Sequence, residues 1–164
     1  MKSITMIAAV GLNNEIGANN QLLWHFKKDM KFFKDNTLGK PVVMGRKTFE
    51  SLPGLLPKRT HIVITKQPIT IPKVIIANSK EEIFDWQKYF DEIVIIGGAS
   101  IYNMLLEDAN KLLITKVHRT YPNADAFFPQ FNETDFEKII IKKEYENDTL
   151  LEFTEYTRKL VKKN

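Results

Sequence analysis

Val42-Val43-Met44-Gly45-Arg46-Lys47-Thr48-Phe49-Glu50-Ser51 places a short apolar strand directly before a glycine, two cations and a hydroxyl. A parallel strand that ends at a glycine and turns into a helix aims free backbone N–H groups, and the positive end of the helix dipole, at one spot. An anion suits that spot, and Arg46, Lys47 and Thr48 after Gly45 add charge and hydroxyl donors to it. A plain strand-to-helix turn with a solvated basic pair would read the same in isolation, so the rest of the chain has to decide.

Working outward, apolar β-rich runs occur at Ile4 to Val10, Pro41 to Met44, His61 to Thr65, Val74 to Ala77, Ile93 to Ile96 and Leu112 to Val117. Their near-continuous hydrophobicity suits parallel strands covered on both faces. Helical stretches fall between them, at about 25 to 35, 47 to 52, 80 to 90 and 99 to 107. The third opens on Ser79-Lys80-Glu81-Glu82, a capping box, and its spacing puts Ile83, Trp86 and Phe90 on one core-facing side. Phe136 to Tyr145 and Leu150 to Leu160 read as two long strands joined through Glu146-Asn147-Asp148, an antiparallel hairpin that finishes the sheet. The pattern is an α/β domain with a central, mostly parallel sheet.

A chain of 164 residues fits one domain, 1 to 164. With no cysteine it has no disulfide, thiolate nucleophile or cysteine-ligated metal, which suits a reducing cytoplasm. Its three histidines, 25, 61 and 118, lack metal-ligand spacing and read as structural or solvated. Residues 1 to 10 carry one cation and an apolar run too short for a signal peptide, so they read as a buried first strand. A net charge of +4 favours anionic partners, yet no long lysine-arginine block or nucleic-acid motif is present, so a small anionic ligand is favoured.

Ligands of such sheets collect beyond the carboxyl ends of the strands. There the run ending at Ile96 meets Gly97-Gly98-Ala99-Ser100-Ile101-Tyr102, and the run ending at Ile64 meets Thr65-Lys66. Adjacent glycines let a backbone come close to a pyrophosphate, although they also make ordinary tight turns. Neither GxGxxG nor GxxxxGK[ST] occurs, which argues against an ordinary Rossmann domain and a P-loop NTPase. Cations rather than an acid stand at these turns, favouring a 2′-phosphate and hence NADP over NAD. In Phe26-Lys27-Lys28-Asp29-Met30-Lys31-Phe32-Phe33-Lys34, the residues Phe26, Met30 and Phe33 form an apolar stripe with Asp29 on its side. A carboxylate there either complements the helix dipole or binds a protonated heterocycle.

With these pieces in place the chain resembles the bacterial dihydrofolate reductases nearly end to end. The resemblance rests on Ile7-Ala8-Ala9, Ile16-Gly17, Trp24-His25, Asp29, Met44 to Ser51, Leu56-Pro57-Lys58-Arg59, Ile95-Ile96-Gly97-Gly98, Tyr102, Thr115 and Phe128-Pro129, in that order. It implies an eight-stranded sheet with an antiparallel C-terminal strand, and reduction of 7,8-dihydrofolate to tetrahydrofolate with NADPH by a monomer that antifolates would inhibit. It implies that Asp29 hydrogen-bonds the pteridine with Thr115 behind it, and that Leu22 and Trp24 belong to the catalytic centre under a mobile loop, Gly17 to Trp24. Ile7, Ala9, Met30, Phe33, Leu52, Leu56 and Ile96 would line the folate pocket or its join with nicotinamide, and Arg59 would hold the glutamate α-carboxylate. Ala9, Ile16, Gly17, Gly45, Arg46, Lys47, Thr48, Thr65, Lys66, Ile96, Gly97, Gly98, Ser100, Ile101 and Tyr102 would serve the cofactor. Another reductase of this fold, the pyrimidine reductase of riboflavin synthesis, is the alternative, and the pairing of Asp29 with Arg59 favours pterin plus glutamate.

The chain departs from the family pattern in four places. Leu23 and Lys27 stand where prolines are usual, Ala99-Ser100 where some relatives carry a third glycine and an arginine, and Ala124-Asp125 where many have Gly-Asp. These bear on loop motion and on affinity for the adenosine phosphate.

Overall fold

Ser3–Val10 forms β1, the central strand, and its neighbours on either side are Glu92–Gly97 (β6) and Lys111–Val117 (β7), both parallel to it. The computed structural model describes residues 3–19 and 21–160. Beyond β6 the sheet continues in parallel through Pro41–Gly45 (β3), Thr60–Ile64 (β4) and Ile75–Ala77 (β5). Beyond β7 it continues through Thr149–Arg158 (β10) and Phe136–Glu146 (β9), giving the order β5-β4-β3-β6-β1-β7-β10-β9. β10 alone runs against its neighbours, because it leaves β9 through the two-residue turn Asn147-Asp148, both at positive φ (49° and 61°). Positive φ at both central positions matches the right-handed twist of the flanking strands.

Helices cover both faces. Ala99–Leu105 (α4) and Lys80–Gln87 (α3) pack on one side, where Ile83, Ile101, Tyr102 and Leu105 join a core built on Met6, Ile62, Ile93, Ile95 and Leu112. Lys27–Thr37 (α1) and Arg46–Ser51 (α2) cover the other, with Phe32 against Phe153 at 4.8 Å between ring centres. Two-sided cover explains why Val42, Val43 and Met44, or Ile93, Val94 and Ile95, are all at 0% exposure with no polar alternation.

Two local expectations need correction. Trp86 is not core: it is 36% exposed and leans on Tyr89, while Phe84 packs against the buried Ile83. Phe90 does pack against the core, but from the loop that follows, since α3 stops at Gln87. The capping box is also half as drawn. Ser79 Oγ accepts from Glu82 N, but Glu82 Oε2 reaches one residue further back, to Asn78 N at 2.6 Å.

Two short strands escape the periodicity altogether: Glu15–Gly17 (β2) and Ala126–Phe127 (β8) pair antiparallel as a separate ribbon. At two or three residues each they are too short for any alternation to register.

Candidate active site

The helix that carries Asp29 begins at Lys27, not near residue 25, and its cap comes from far along the chain. Phe26 at the cap position supplies no side-chain acceptor. Glu146, at the end of β9, does so instead, accepting from Lys27 N at 2.8 Å and Lys28 N at 2.9 Å. A carboxylate on the first free N–H groups of a helix combines capping with a favourable charge at the dipole's positive end. It also pins the start of α1 to the C-terminal hairpin.

In the same first turn, Asp29 meets Thr115 of β7 in a hydrogen bond. Thr115 is itself buried, between Ala9 of β1 and Phe153 of β10 in the sheet register. Burial pushes the Asp29 carboxyl up to about 6; the Thr115 bond pulls it down, and the negative charge of Glu146 adds a smaller push upward. The charge of Asp29 in turn helps burial to raise the Tyr102 phenol, whose hydroxyl donates to the Ile7 carbonyl at 2.7 Å.

Beside this carboxyl, half-buried apolar side chains form a continuous wall. Ala9, Trp24, Phe33 and Ile96 fringe the cluster around Ile7 and Phe32, while Phe49, Leu52, Leu56 and again Ile96 fringe the one around Met44 and Val63. Ile96 joins the two. The apolar stripe expected on α1 is altered, because Phe32 is the residue turned to the sheet and Met30 stands 49% exposed. The cap residue Phe26 and, within α1, Phe32 are therefore the buried aromatics, and Met30 is left exposed.

The glycine turns meet next to that wall. Gly97 has φ +132°, a conformation that side-chain-bearing residues avoid, and it is followed by a cis peptide to Gly98. A Cβ on Gly98 would stand 3.3 Å from Thr48 Oγ1, and one on Gly45 would stand 3.1 Å from the Ile101 side chain. The ends of β3 and β6 and the starts of α2 and α4 are thus drawn into one cradle. Arg46 pairs with Glu50 at 3.0 Å, an exposed i, i+4 pair of the kind that contributes little and yields readily to a competing anion. Lys47, Lys66 and Ser100 are exposed. Thr65 is less free than the sequence suggests, since its hydroxyl accepts from Gln67 N at 3.2 Å and closes its own turn.

At the opposite end of the wall Arg59 is fixed by two bonds, Nε to the Pro57 carbonyl at 2.9 Å and Nη1 to Thr37 Oγ1 at 3.1 Å. Those two use part of a five-donor fork and leave the rest for a ligand. In the segment expected to form the loop, Gly17 of β2 accepts from Asp125 N at 3.0 Å, and Asp125 Oδ2 accepts from Asn19 N at 2.9 Å. Trp24 packs on Tyr121, with 4.9 Å between ring centres, while Leu22 is 74% exposed. Asn20, within the segment expected to form the loop, lies outside the described residues.

Glu15 is the residue that sequence reading misses. It is 2% exposed, and its two carboxylate oxygens accept from Asn13 N and Tyr121 N, each at 2.6 Å. It therefore ties the base of the loop to the segment after β7. A carboxylate following Leu12-Asn13-Asn14 reads as solvated loop, and nothing local signals a partner 106 residues away. A separate cavity of about 200 Å³, walled by Val10, Ile114, Lys116, Phe128 and Tyr156 among others, contains none of the expected site residues.

The family model described as dihydrofolate reductase matches residues 3–158. A dihydrofolate reductase from Haemophilus influenzae is 44% identical over 135 residues, 82% of this chain and 84% of that one. Another, from Buchnera aphidicola subsp. Baizongia pistaciae, is 37% identical over 162 residues, 98% of each chain. Among solved structures, a dihydrofolate reductase from Enterococcus faecalis complexed with NADP(H) and RAB-propyl shares the fold with a TM-score of 0.88 at 30% identity, over 95% of this chain and 96% of that one. Since the family model runs from β1 through β10, taking in the carboxyl, the apolar wall and the glycine cradle alike, and the two relatives are 37% and 44% identical over most of the chain, the chain belongs to the dihydrofolate reductase family.

Proposed function

We propose that this chain, as a single domain spanning residues 1 to 164 and a cytoplasmic monomer, reduces 7,8-dihydrofolate to tetrahydrofolate with NADPH. The observation that carries the reading is Asp29, a carboxyl whose pKa burial raises to about 6, backed by Thr115 at the head of a cleft with apolar walls. A pterin has a flat heterocycle with adjacent N–H donors, which such a carboxylate can grip while Phe33, Leu52, Leu56 and Ile96 enclose the ring and the benzoyl group. The pyrimidine reductase alternative asks for no group like Arg59 at the far end of that wall.

The residues also fit the cofactor. Gly97 and Gly98 leave open the space that Cβ atoms would take up beside Thr48 and Tyr102, so a pyrophosphate can approach the backbone. Arg46, Lys47, Thr48, Thr65, Lys66, Ser100 and Ile101 would hold the phosphates and adenosine. Ala9, Ile16, Gly17 and Ile96 would flank the nicotinamide, and Gly45 and Tyr102 the cradle between. NADPH, when bound, supplies the hydride.

The chain's own part is alignment and proton management. The apolar wall excludes water and holds the pterin face in reach, while the loop carrying Leu22 and Trp24 closes over it. Asp29 keeps the pterin oriented through its carboxylate and favours a proton at N5, by relay through water or by stabilising the protonated ring. NADPH oxidation that depends on added dihydrofolate tests the whole reading; its absence in folded protein overturns it.

Arg59 offers a sharper test of substrate class. A planar fork grips a carboxylate through two parallel bonds, which lysine cannot do. Arg59→Lys should weaken folates bearing glutamate by about 1.5–3 kcal/mol, more than tenfold, and spare small diaminopyrimidines that lack the glutamate. Parallel binding titrations decide, and equal weakening of both ligands removes Arg59 from the tail site.

A further inference from the structure

His61 stands on the same face of β4 as Val63, beside Val42 of β3, and is only 2% exposed. The ring of Phe49 from α2 meets it edge-on at 6.4 Å. Its Nε2 accepts a hydrogen bond from Leu56 N at 3.0 Å. A neutral imidazole carries one proton, so an accepting Nε2 puts that proton on Nδ1. A second hydrogen bond joins the ring to the Arg59 backbone. One buried side chain thus grips both ends of the segment from Leu56 to Arg59.

We propose that His61 is a positioning residue that holds this segment in shape, so that Leu56 and Arg59 reach the benzoylglutamate part of the substrate together. The inference rests on the functional reading above and adds to it a residue that touches neither substrate nor cofactor. The charge state of the ring follows from the same contacts. Burial lowers its pKa, as does the Arg59 cation, while the Arg59 backbone bond opposes both. Among the described residues Arg59 is the charged group acting on the ring. β3 presents Val42 to it and α2 presents Phe49, while Arg46 and Glu50 of α2 pair with each other. Neutral near pH 7, the imidazole accepts from Leu56; protonated in acid it has no lone pair to offer, and the grip opens.

The test compares His61→Leu, which removes the acceptor, with His61→Gln, whose amide oxygen can take the place of Nε2 and does not titrate. His61→Leu should raise KM for dihydrofolate about tenfold at pH 7.5, the loss expected when a buried N–H is orphaned. It should leave saturated kcat within about twofold, and likewise KM for a dihydropterin lacking the benzoylglutamate tail. His61→Gln should stay near wild type at pH 7.5. Towards pH 5 the ratio of the two substrates' KM values should climb for the wild type and stay flat for the Gln variant, since that ratio cancels the titration of Asp29. If His61→Leu weakens both substrates equally or neither, or the Gln variant keeps the acid rise, the inference falls. Should the Leu variant fail to fold, the Gln profile alone decides. Hydrogen exchange of the Leu56 amide separates the two claims: protection kept in Gln and lost in Leu upholds the grip even if the wild type does not respond to dihydrofolate, and equal protection in both overturns it.

Discussion

Asp29→Asn is expected to cut single-turnover hydride transfer to dihydrofolate by about a hundredfold or more at pH 8, the scale of a lost acid–base group. The deficit should narrow towards pH 5, where solvent protonates more of the pterin and the carboxylate is needed less. The same change should stabilise the protein. With a folded-state pKa of about 6 against a reference of 3.8, Asp29 binds its proton more tightly when folded than when unfolded. Stability therefore falls as pH rises from about 4 to about 6, and above that range the ionised, desolvated carboxylate costs up to about 3 kcal/mol. Asparagine removes that cost, so the variant should melt above the wild type at pH 8 and lose the advantage near pH 3. Equal activity losses at pH 5 and pH 8, or a variant that is less stable at pH 8, would contradict the role assigned to this carboxyl.

That opposition between stability and activity marks where sequence reading succeeds and where it stops. Val42-Val43-Met44 and Ile93 to Ile96 are legible as strands covered on both faces because two-sided burial leaves no alternation to find. The turn at Asn147-Asp148 is legible because those residue types accept the positive φ it uses. Gly97 and Gly98 are legible as a turn that suits glycine, since Gly97 has φ +132° and a Cβ on Gly98 would come within 3.3 Å of Thr48 Oγ1.

Other features depend on partners that only the folded chain supplies. Glu146 caps a helix more than a hundred residues away, and no pattern around Phe26 or Glu146 announces it. Met30 and Trp86 satisfy a helical period and are nonetheless exposed, because period describes a face without saying whether anything covers it. Asp29 sits between these cases: its spacing marks it as unusual, while its partner Thr115 and its raised pKa come from the packing of α1 against β7.

Glu15 is the feature furthest from sequence reading, and its removal should have the largest effect on stability. Its carboxylate, only 2% exposed, is the acceptor for two backbone N–H groups, Asn13 and Tyr121, each at 2.6 Å in a part-buried bond. Orphaning a buried donor costs about 1–3 kcal/mol, and Glu15→Ala orphans both. A loss of about 4 kcal/mol in a chain of this size lowers Tm by on the order of 10 °C. Glu15→Gln keeps one oxygen acceptor and turns the other position into a donor facing a donor, so it should recover only part of that loss. Function should suffer in a particular way. Glu15 joins the turn before β2 to the segment that carries Tyr121, on which Trp24 packs, and Leu12 N bonds the Arg119 carbonyl alongside. Slackening that joint loosens the loop over the site without touching Asp29 or the apolar wall. Ligand release should quicken severalfold in stopped-flow measurements, while the hydride step with ligands bound changes less. A thermal melt of Glu15→Ala within about 2 °C of the wild type would show that the two N–H groups find other partners, and release rates unchanged in both variants would separate Glu15 from the motion of the loop.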